Sequence, residues 1–448
     1  MTENRPTYRG DLVIPYKCEK TGCFLRKSVL NNKVRYVRTH TAEHFNVIHI
    51  LEVRNMKKIL ALLLTVAMVA CLFAGCQSSE PNTSDPATEP STDNSNTDPA
   101  TDPATEPAND DNTSPDANGA KKVAFVTDVG NIDDHSFNQY SYEGVTKFCS
   151  NAGLECSYYK PVGDTDQDRI DAINQAVGDG YGVVVMAGYL FGPACYTVAT
   201  QHPEVLFLAL DVTEGDLKAD TVPSNIALIC YQEEQAGYLA GYAAVQEGYK
   251  ELGFLGGIDV PAVVRYGYGF IMGADKAAQE LNLTDVNIKY WYSGSFQPND
   301  DIATKMDNWY VGGTQVVFAC GGGIYLSCQS AAEANDGKMI GVDVDQSNVS
   351  DRIITSAMKA LSNSVVKALT DASANGWTWP QNYAGVCQYL GAADNCVGLP
   401  METSQFTTFT QEQYDTLFQA MANGSLVVDN NSNPDVKPAT TNVTVDFQ

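Results

Sequence analysis

Three aspartates sit at or just past the end of an apolar run: Asp128 after Val-Ala-Phe-Val-Thr, Asp211 after Phe-Leu-Ala-Leu, and Asp343 after Ile-Gly-Val. A short apolar run that opens into polar loop and then a helical pattern reads as a buried strand of a parallel sheet. Such sheets bind ligands beyond the carboxyl ends of their strands. Carboxylates converging there accept hydrogen bonds from hydroxyls or ring N–H groups and repel phosphate, which predicts a neutral, polar ligand. The stretch Asp128-Val-Gly-Asn-Ile-Asp-Asp-His-Ser-Phe-Asn-Gln139 follows the first of these strands and supplies Phe137, while Tyr266 offers an aromatic face from the other half of the chain. A planar ring can stack on both. The same stretch has a structural use, because Ser136 with Gln139 three residues later is a capping-box pattern and Phe137 fits a core position.

Enzyme signatures find little material. Beyond residue 120 the histidines are His135 and His202, and neither sits in a His-x3-His or nucleophile-elbow context. Gly321-Gly322-Gly323 follows a strand, but a dinucleotide fingerprint needs a third glycine where Leu326 stands. Gly267, Gly269 and Gly273 begin about ten residues past their strand, too far for the tight turn, and read as helix-packing glycines. The eight cysteines from Cys149 to Cys396 form no Cys-x2-Cys. Cys387 and Cys396, flanking a loop, are the pair best placed for a disulfide; otherwise the cysteines serve as small core residues. No catalytic residue, metal or cofactor is expected.

Positioning these side chains falls to an alternation of elements. Apolar runs at 123–127, 155–159, 182–186, 205–210 and 226–230 read as strands between helical patterns at 136–150, 167–177 and 195–201. That alternation predicts βαβ units and a mainly parallel sheet. A second series follows: helix 233–247, strand 252–255, helix 267–281, strand 287–292, helix 300–310, strand 315–319, helix 324–334 and strand 339–342. About 330 residues exceed the usual single core. The fold class is therefore α/β, with two Rossmann-like lobes around a cleft. Residues 121–232 begin the first lobe and 233–350 form the second. Strand 353–357, helix 361–374, the segment 383–398 and helix 411–421 carry residues 351–448 back to the first.

The chain ahead of the lobes has three parts. Met56, Lys57 and Lys58 precede an apolar stretch over 59–73 and the small residues Ala74, Gly75 and Cys76. This is the layout of a secretory signal over 56–75, and its terminal cysteine matches a bacterial lipobox, in which Cys76 takes the lipid and becomes the first mature residue. Phe73 stands where that pattern usually has Leu. A transmembrane helix is the competing reading, but about 17 apolar positions are marginal for a bilayer. Residues 1–55, with ten Lys or Arg against five acids, do not belong in front of a signal, so Met56 is the expected start and 1–55 an over-extended reading frame. Cys18, Cys23, His40, His44 and His49 lack the apolar framework of a zinc finger. Residues 78–119 carry ten acids, no Lys or Arg, and the hexamer Asp-Pro-Ala-Thr-Glu-Pro twice. Residues 76–120 thus read as a lipidated cysteine followed by a disordered acidic tether. Beyond residue 120 stand 16 basic and 39 acidic residues. That balance opposes nucleic acid or an anionic membrane surface as a partner of the body.

The stretches Val126 to Gln139, Leu252 to Phe270 and Ile340-Gly-Val-Asp-Val-Asp-Gln346 together resemble the basic membrane protein family, nucleoside-binding lipoproteins of ABC importers with the type I periplasmic-binding-protein architecture. The likeness runs from residue 121 to about 399. It implies that Phe137 and Tyr266 stack on the base, that Asp128, Asn138 and Asp343 address the base, and that Asp211, Gly322 and Lys359 address the sugar. The family commonly has Phe at the place of Tyr266 and Lys at that of His135. The partners implied are a nucleoside, a purine nucleoside by preference, an ABC permease with cytoplasmic ATPases, and a membrane reached through the lipid on Cys76, on the extracytoplasmic face. The rival readings are a sugar or signalling-molecule receptor of the same fold, a nucleoside-cleaving enzyme, for which Asp343 with Asp345 is too thin a calcium cluster, and a surface antigen without a ligand.

Overall fold

The structure, a computed structural model, describes the backbone strands 16–17, 24–30 and 33–39 and all of residues 121–448. The chain divides into two units, 1–108 and 109–448. In the first, β1 (Tyr16–Lys17), β2 (Phe24–Leu30) and β3 (Lys33–Thr39) form a small antiparallel sheet. The signal segment, Cys76, the tether and the five Cys and His residues weighed as zinc ligands lie outside the described residues. Among the described residues no helix is long and apolar enough to cross a membrane.

The second unit holds two sheets. The first comprises β4 (Val123–Val126), β5 (Cys156–Tyr159), β6 (Val183–Ala187), β7 (Leu206–Leu210), β8 (Ile226–Tyr231) and β14 (Cys387–Leu390), in the order β14-β8-β7-β6-β4-β5 and parallel throughout. The second comprises β9 (Glu251–Gly256), β10 (Val286–Tyr292), β11 (Val316–Cys320), β12 (Lys338–Asp343), β13 (Ile353–Lys359), β15 (Val397–Gly398) and β16 (Val443–Phe447). Its order is β15-β13-β12-β11-β9-β10-β16, parallel except for β15. Strands β4, β6, β7, β8 and β11 are buried at every residue. Helices cover both faces of such a sheet, which is why these strands are continuous apolar runs rather than alternating ones. In each sheet one strand has neighbours reached in opposite directions, β4 in the first and β9 in the second. The gaps beside them are the topological switch points where α/β sheets bind ligands.

The lobes are joined by the passages β8 to β9, β13 to β14 and β14 to β15. Helix α4 (Glu233–Gln246), within the first passage, and helix α5 (Pro261–Glu280), which follows β9, cross with their backbones in contact. A Cβ on Gly237 would stand 2.1 Å from the Tyr266 carbonyl oxygen, one on Gly241 2.0 Å from that of Phe270, and one on Gly273 1.9 Å from that of Tyr238. The glycines of α5 are thus helix-packing residues, as their spacing suggested. Helix α5 begins at Pro261, six residues before the expected start, because a proline is pre-organised for the first helical position.

The end of the chain departs from expectation. Strands β13, β15 and β16 belong to the second sheet, and β14 joins the first. Residues 351–448 therefore do not simply return to the first lobe. Pairing decides this, since β13 runs alongside β12 with Asp343 opposite Met358, and β16 extends the far edge with Val286 opposite Val443. All eight cysteines of this unit are free. Cys387 and Cys396 do not pair, because one lies on β14 of the first sheet and the other precedes β15 of the second; their thiols meet the carbonyls of Val212 and Asp394 instead.

Candidate ligand-binding site

The two switch points open onto one cleft of about 680 Å³, its open mouth included. From the first lobe come Asp128 after β4, Phe137 and Asn138 at the start of α1 (Phe137–Ala152), and Asp211 after β7. From the second come Tyr266 on α5, Gly322 after β11, Asp343 ending β12 and Lys359 ending β13. All eight residues singled out from the sequence line this space.

Lys359 is the electrostatic centre. Its ammonium donates to Asp211 Oδ2 at 2.6 Å and Glu233 Oε1 at 3.4 Å, lies 3.7 Å from Asp343 Oδ1, and stands 4.5 Å from the Phe137 ring centroid and 5.8 Å from that of Tyr266. Burial alone would lower its pKa, but the Asp211, Glu233 and Asp343 carboxylates hold it well above the ordinary lysine range. Burial likewise resists ionisation of Glu233, yet Arg265, donating at 2.7 Å, and Lys359 keep it below the usual carboxylate range. Burial raises the Asp343 and Asp211 carboxyls against the pull of Lys359. It pushes Asp128 up to about 6, although the Gly130 N–H and the Asn138 amide oppose it. Two atoms are left over: Asp211 Oδ1 and the Tyr266 hydroxyl are buried without a hydrogen-bond partner.

The loop before α1 is built by Asp134, which sequence reasoning did not single out. Its carboxylate accepts from the backbone N–H groups of Ser136, Asn138 and Gln139 at 2.9 to 3.1 Å and from the Asn138 amide at 3.1 Å. The expected capping box does not form, because Asp134 already occupies those donors. The Ser136 hydroxyl, thus released, crosses the cleft to Asp343 Oδ2 at 2.5 Å. Gln346 Nε2 donates to the His135 carbonyl at 2.9 Å, and Gln297 Nε2 to that of Val129 at 3.4 Å. These bonds join the lobes, so this is a closed form. Phe296 and Cys320 also line the cleft and were not foreseen; both belong to runs that look like ordinary strand or loop, and nothing in the sequence marks them.

The chain's residues 121–432 match the family described as ABC transporter substrate-binding protein PnrA-like, Bmp. The chain belongs to the Bmp family. Curated relatives include "Basic membrane protein B" of Borreliella afzelii, 25% identical over 284 residues, or 62% of this chain and 80% of that protein. The "ABC transporter nucleoside-binding protein BmpA" of Lactococcus lactis is 27% identical over 276 residues, 57% of this chain and 75% of its own. Among solved structures, an ABC-transporter solute-binding protein from Aeropyrum pernix K1 superposes with TM-score 0.60 at 20% identity, covering 70% of this chain and 95% of that one. One from Conexibacter woesei gives 0.55 at 23%, covering 69% and 99%. These likenesses show the fold, the type I periplasmic-binding architecture. As a Bmp-family member the chain is a substrate-binding protein of an ABC transporter.

Proposed function

We propose that the protein binds a nucleoside, by preference a purine nucleoside, between its lobes and delivers it to a permease driven by cytoplasmic ATPases. What carries the reading is the pair of aromatic walls, Phe137 from one lobe and Tyr266 from the other, around a buried space where carboxylates outnumber cations and Asp211 Oδ1 lacks a donor. A flat base meets the rings, and its N–H groups and the sugar hydroxyls supply donors to the acids. Phosphate is disfavoured by the same carboxylates, so the ligand is the nucleoside rather than the nucleotide. The name of the Lactococcus lactis relative agrees with this choice. Asp128, Asn138 and Asp343 address the base, and Asp211, Gly322 and Lys359 the sugar.

The closed liganded form differs from the open one, and a permease that distinguishes them couples binding to import. The protein works on the extracytoplasmic face, tethered through a lipid on Cys76. Mass spectrometry of the native protein should find lipidated Cys76 as its first residue, and peptides from residues 1–55 would overturn that start site.

The deciding experiment is a thermal-shift screen of the purified protein against nucleosides, nucleotides, free bases and sugars, because a ligand that binds only the native state raises the melting temperature by mass action. Nucleosides should give the largest shifts and be recovered intact by chromatography. A shift with sugars alone, or accumulation of free base in proportion to protein, would replace this reading.

A further inference from the structure

Tyr266 is 1% exposed, and its hydroxyl has no partner. Its ring packs edge-on against Phe318, with centroids 5.8 Å apart, and forms a wall of the cleft. Buried tyrosine hydroxyls normally find a hydrogen bond, and leaving a buried donor unpaired is costly. Other tyrosines of this unit obey that rule: Tyr231 meets Ser364 at 2.5 Å, Tyr290 meets Tyr292 at 2.7 Å, and Tyr310 meets the Lys338 carbonyl at 2.8 Å. For stacking alone a phenylalanine would offer the same face without the stranded oxygen. The hydroxyl is therefore surplus to the folded chain.

Its protonation state fixes what it can recognise. Burial, with the Asp343 and Glu233 carboxylates next, holds the phenol far above its ordinary range, so it keeps its proton and donates. A ring stacked on a base carries its own hydroxyl in a plane offset from the base, which leaves the in-plane edge of that base poorly aligned for a hydrogen bond. The sugar, however, rises out of the base plane at the glycosidic bond.

We infer that the Tyr266 hydroxyl is a specificity determinant that donates to an oxygen of the ligand's sugar, so that the cleft selects the ribonucleoside over the free base and over the analogue lacking that oxygen. This rests on the nucleoside reading. The test is calorimetry of wild type and Tyr266→Phe with the best nucleoside of the screen and its 2′-deoxy, 3′-deoxy, 5′-deoxy and carbocyclic analogues. Tyr266→Phe should bind the parent about tenfold more weakly, while one analogue, already weakened in wild type, should lose nothing further in the variant. Without ligand, Tyr266→Phe should melt at or above the wild-type temperature, since only an unpaired hydroxyl is gone. Equal affinities across the panel, an equal loss for every analogue, or a lower melting temperature without ligand would overturn the assignment and leave the hydroxyl to packing or a buried water. If wild type binds no nucleoside at all, the proposed function fails first and this inference with it.

Discussion

Asp211 and Asp343, each at the carboxyl end of a strand, adopt left-handed backbone conformations, with φ of 57° and 68°. Such conformations are uncommon for residues other than glycine and cluster at binding sites, where the surrounding structure holds them. Both carboxylates are thereby set against Lys359 instead of continuing along their strands. At this scale two outcomes are expected. Phe137→Ala should weaken nucleoside binding by about 1–3 kcal/mol, the range for a lost base–aromatic stack, as read by calorimetry; unchanged affinity would return Phe137 to the core. The second concerns Glu234, whose carboxyl is pushed from 4.5 up to about 8 by burial and by the adjacent Glu233. Folding therefore takes up a proton, and the stability this contributes is fully present below pH 4.5 and lost as pH rises through 8. From this group the melting temperature should fall between about pH 4.5 and 8 and level off above, and Glu234→Gln should flatten that fall. A decline of the same size in the variant would assign it elsewhere.

At the scale of elements, the α4 and α5 pair fixes both the aromatic wall and the buried ion pair. Backbone contact through Gly237, Gly241 and Gly273 brings Arg265 within 2.7 Å of Glu233 and holds Tyr266 against the cleft. Gly241→Ala inserts a methyl group 2.0 Å from the Phe270 carbonyl oxygen, so the helices must separate. Overpacking of this kind typically costs about 1–3 kcal/mol, and denaturant unfolding should show at least that loss. Nucleoside affinity should fall with it, because the wall moves with α5. A variant as stable as wild type would mean the helix pair yields more readily than its backbone contact implies.

For the whole molecule, binding is a closure, and the Ser136–Asp343 hydrogen bond is part of what holds the closed form. Ser136 caps nothing within its own helix, so its loss should tax closure rather than folding. Ser136→Ala should weaken ligand affinity by about 1.5–3 kcal/mol, the scale of a hydrogen bond to a charged group, with its ligand-free melting temperature preserved. Small-angle scattering should show a larger mean radius than wild type at equal, subsaturating ligand. Affinity unchanged within error would show that the Gln346 and Gln297 contacts suffice.

The chain's own order of residues determined the strand-and-helix alternation, the acids at successive strand ends and the two aromatic faces, because these are written in local periodicity and in motifs a few residues long. That was enough to name Asp128, Phe137, Asp211, Tyr266 and Asp343, while Asn138, Gly322 and Lys359 were implied only by the family resemblance; the folded chain brings all eight together from positions up to 231 apart. It was not enough to place β13 and β16, since sheet membership depends on which edge is free to pair and a strand of seven or five residues carries no mark of its partner. Asp134 as the helix cap, Ser136 released to bridge the lobes, and the Glu233–Arg265 pair beneath Lys359 were likewise decided only by tertiary structure. Each depends on groups brought together by the fold in a buried space where most polar atoms find a partner, and no local pattern records which partner that is.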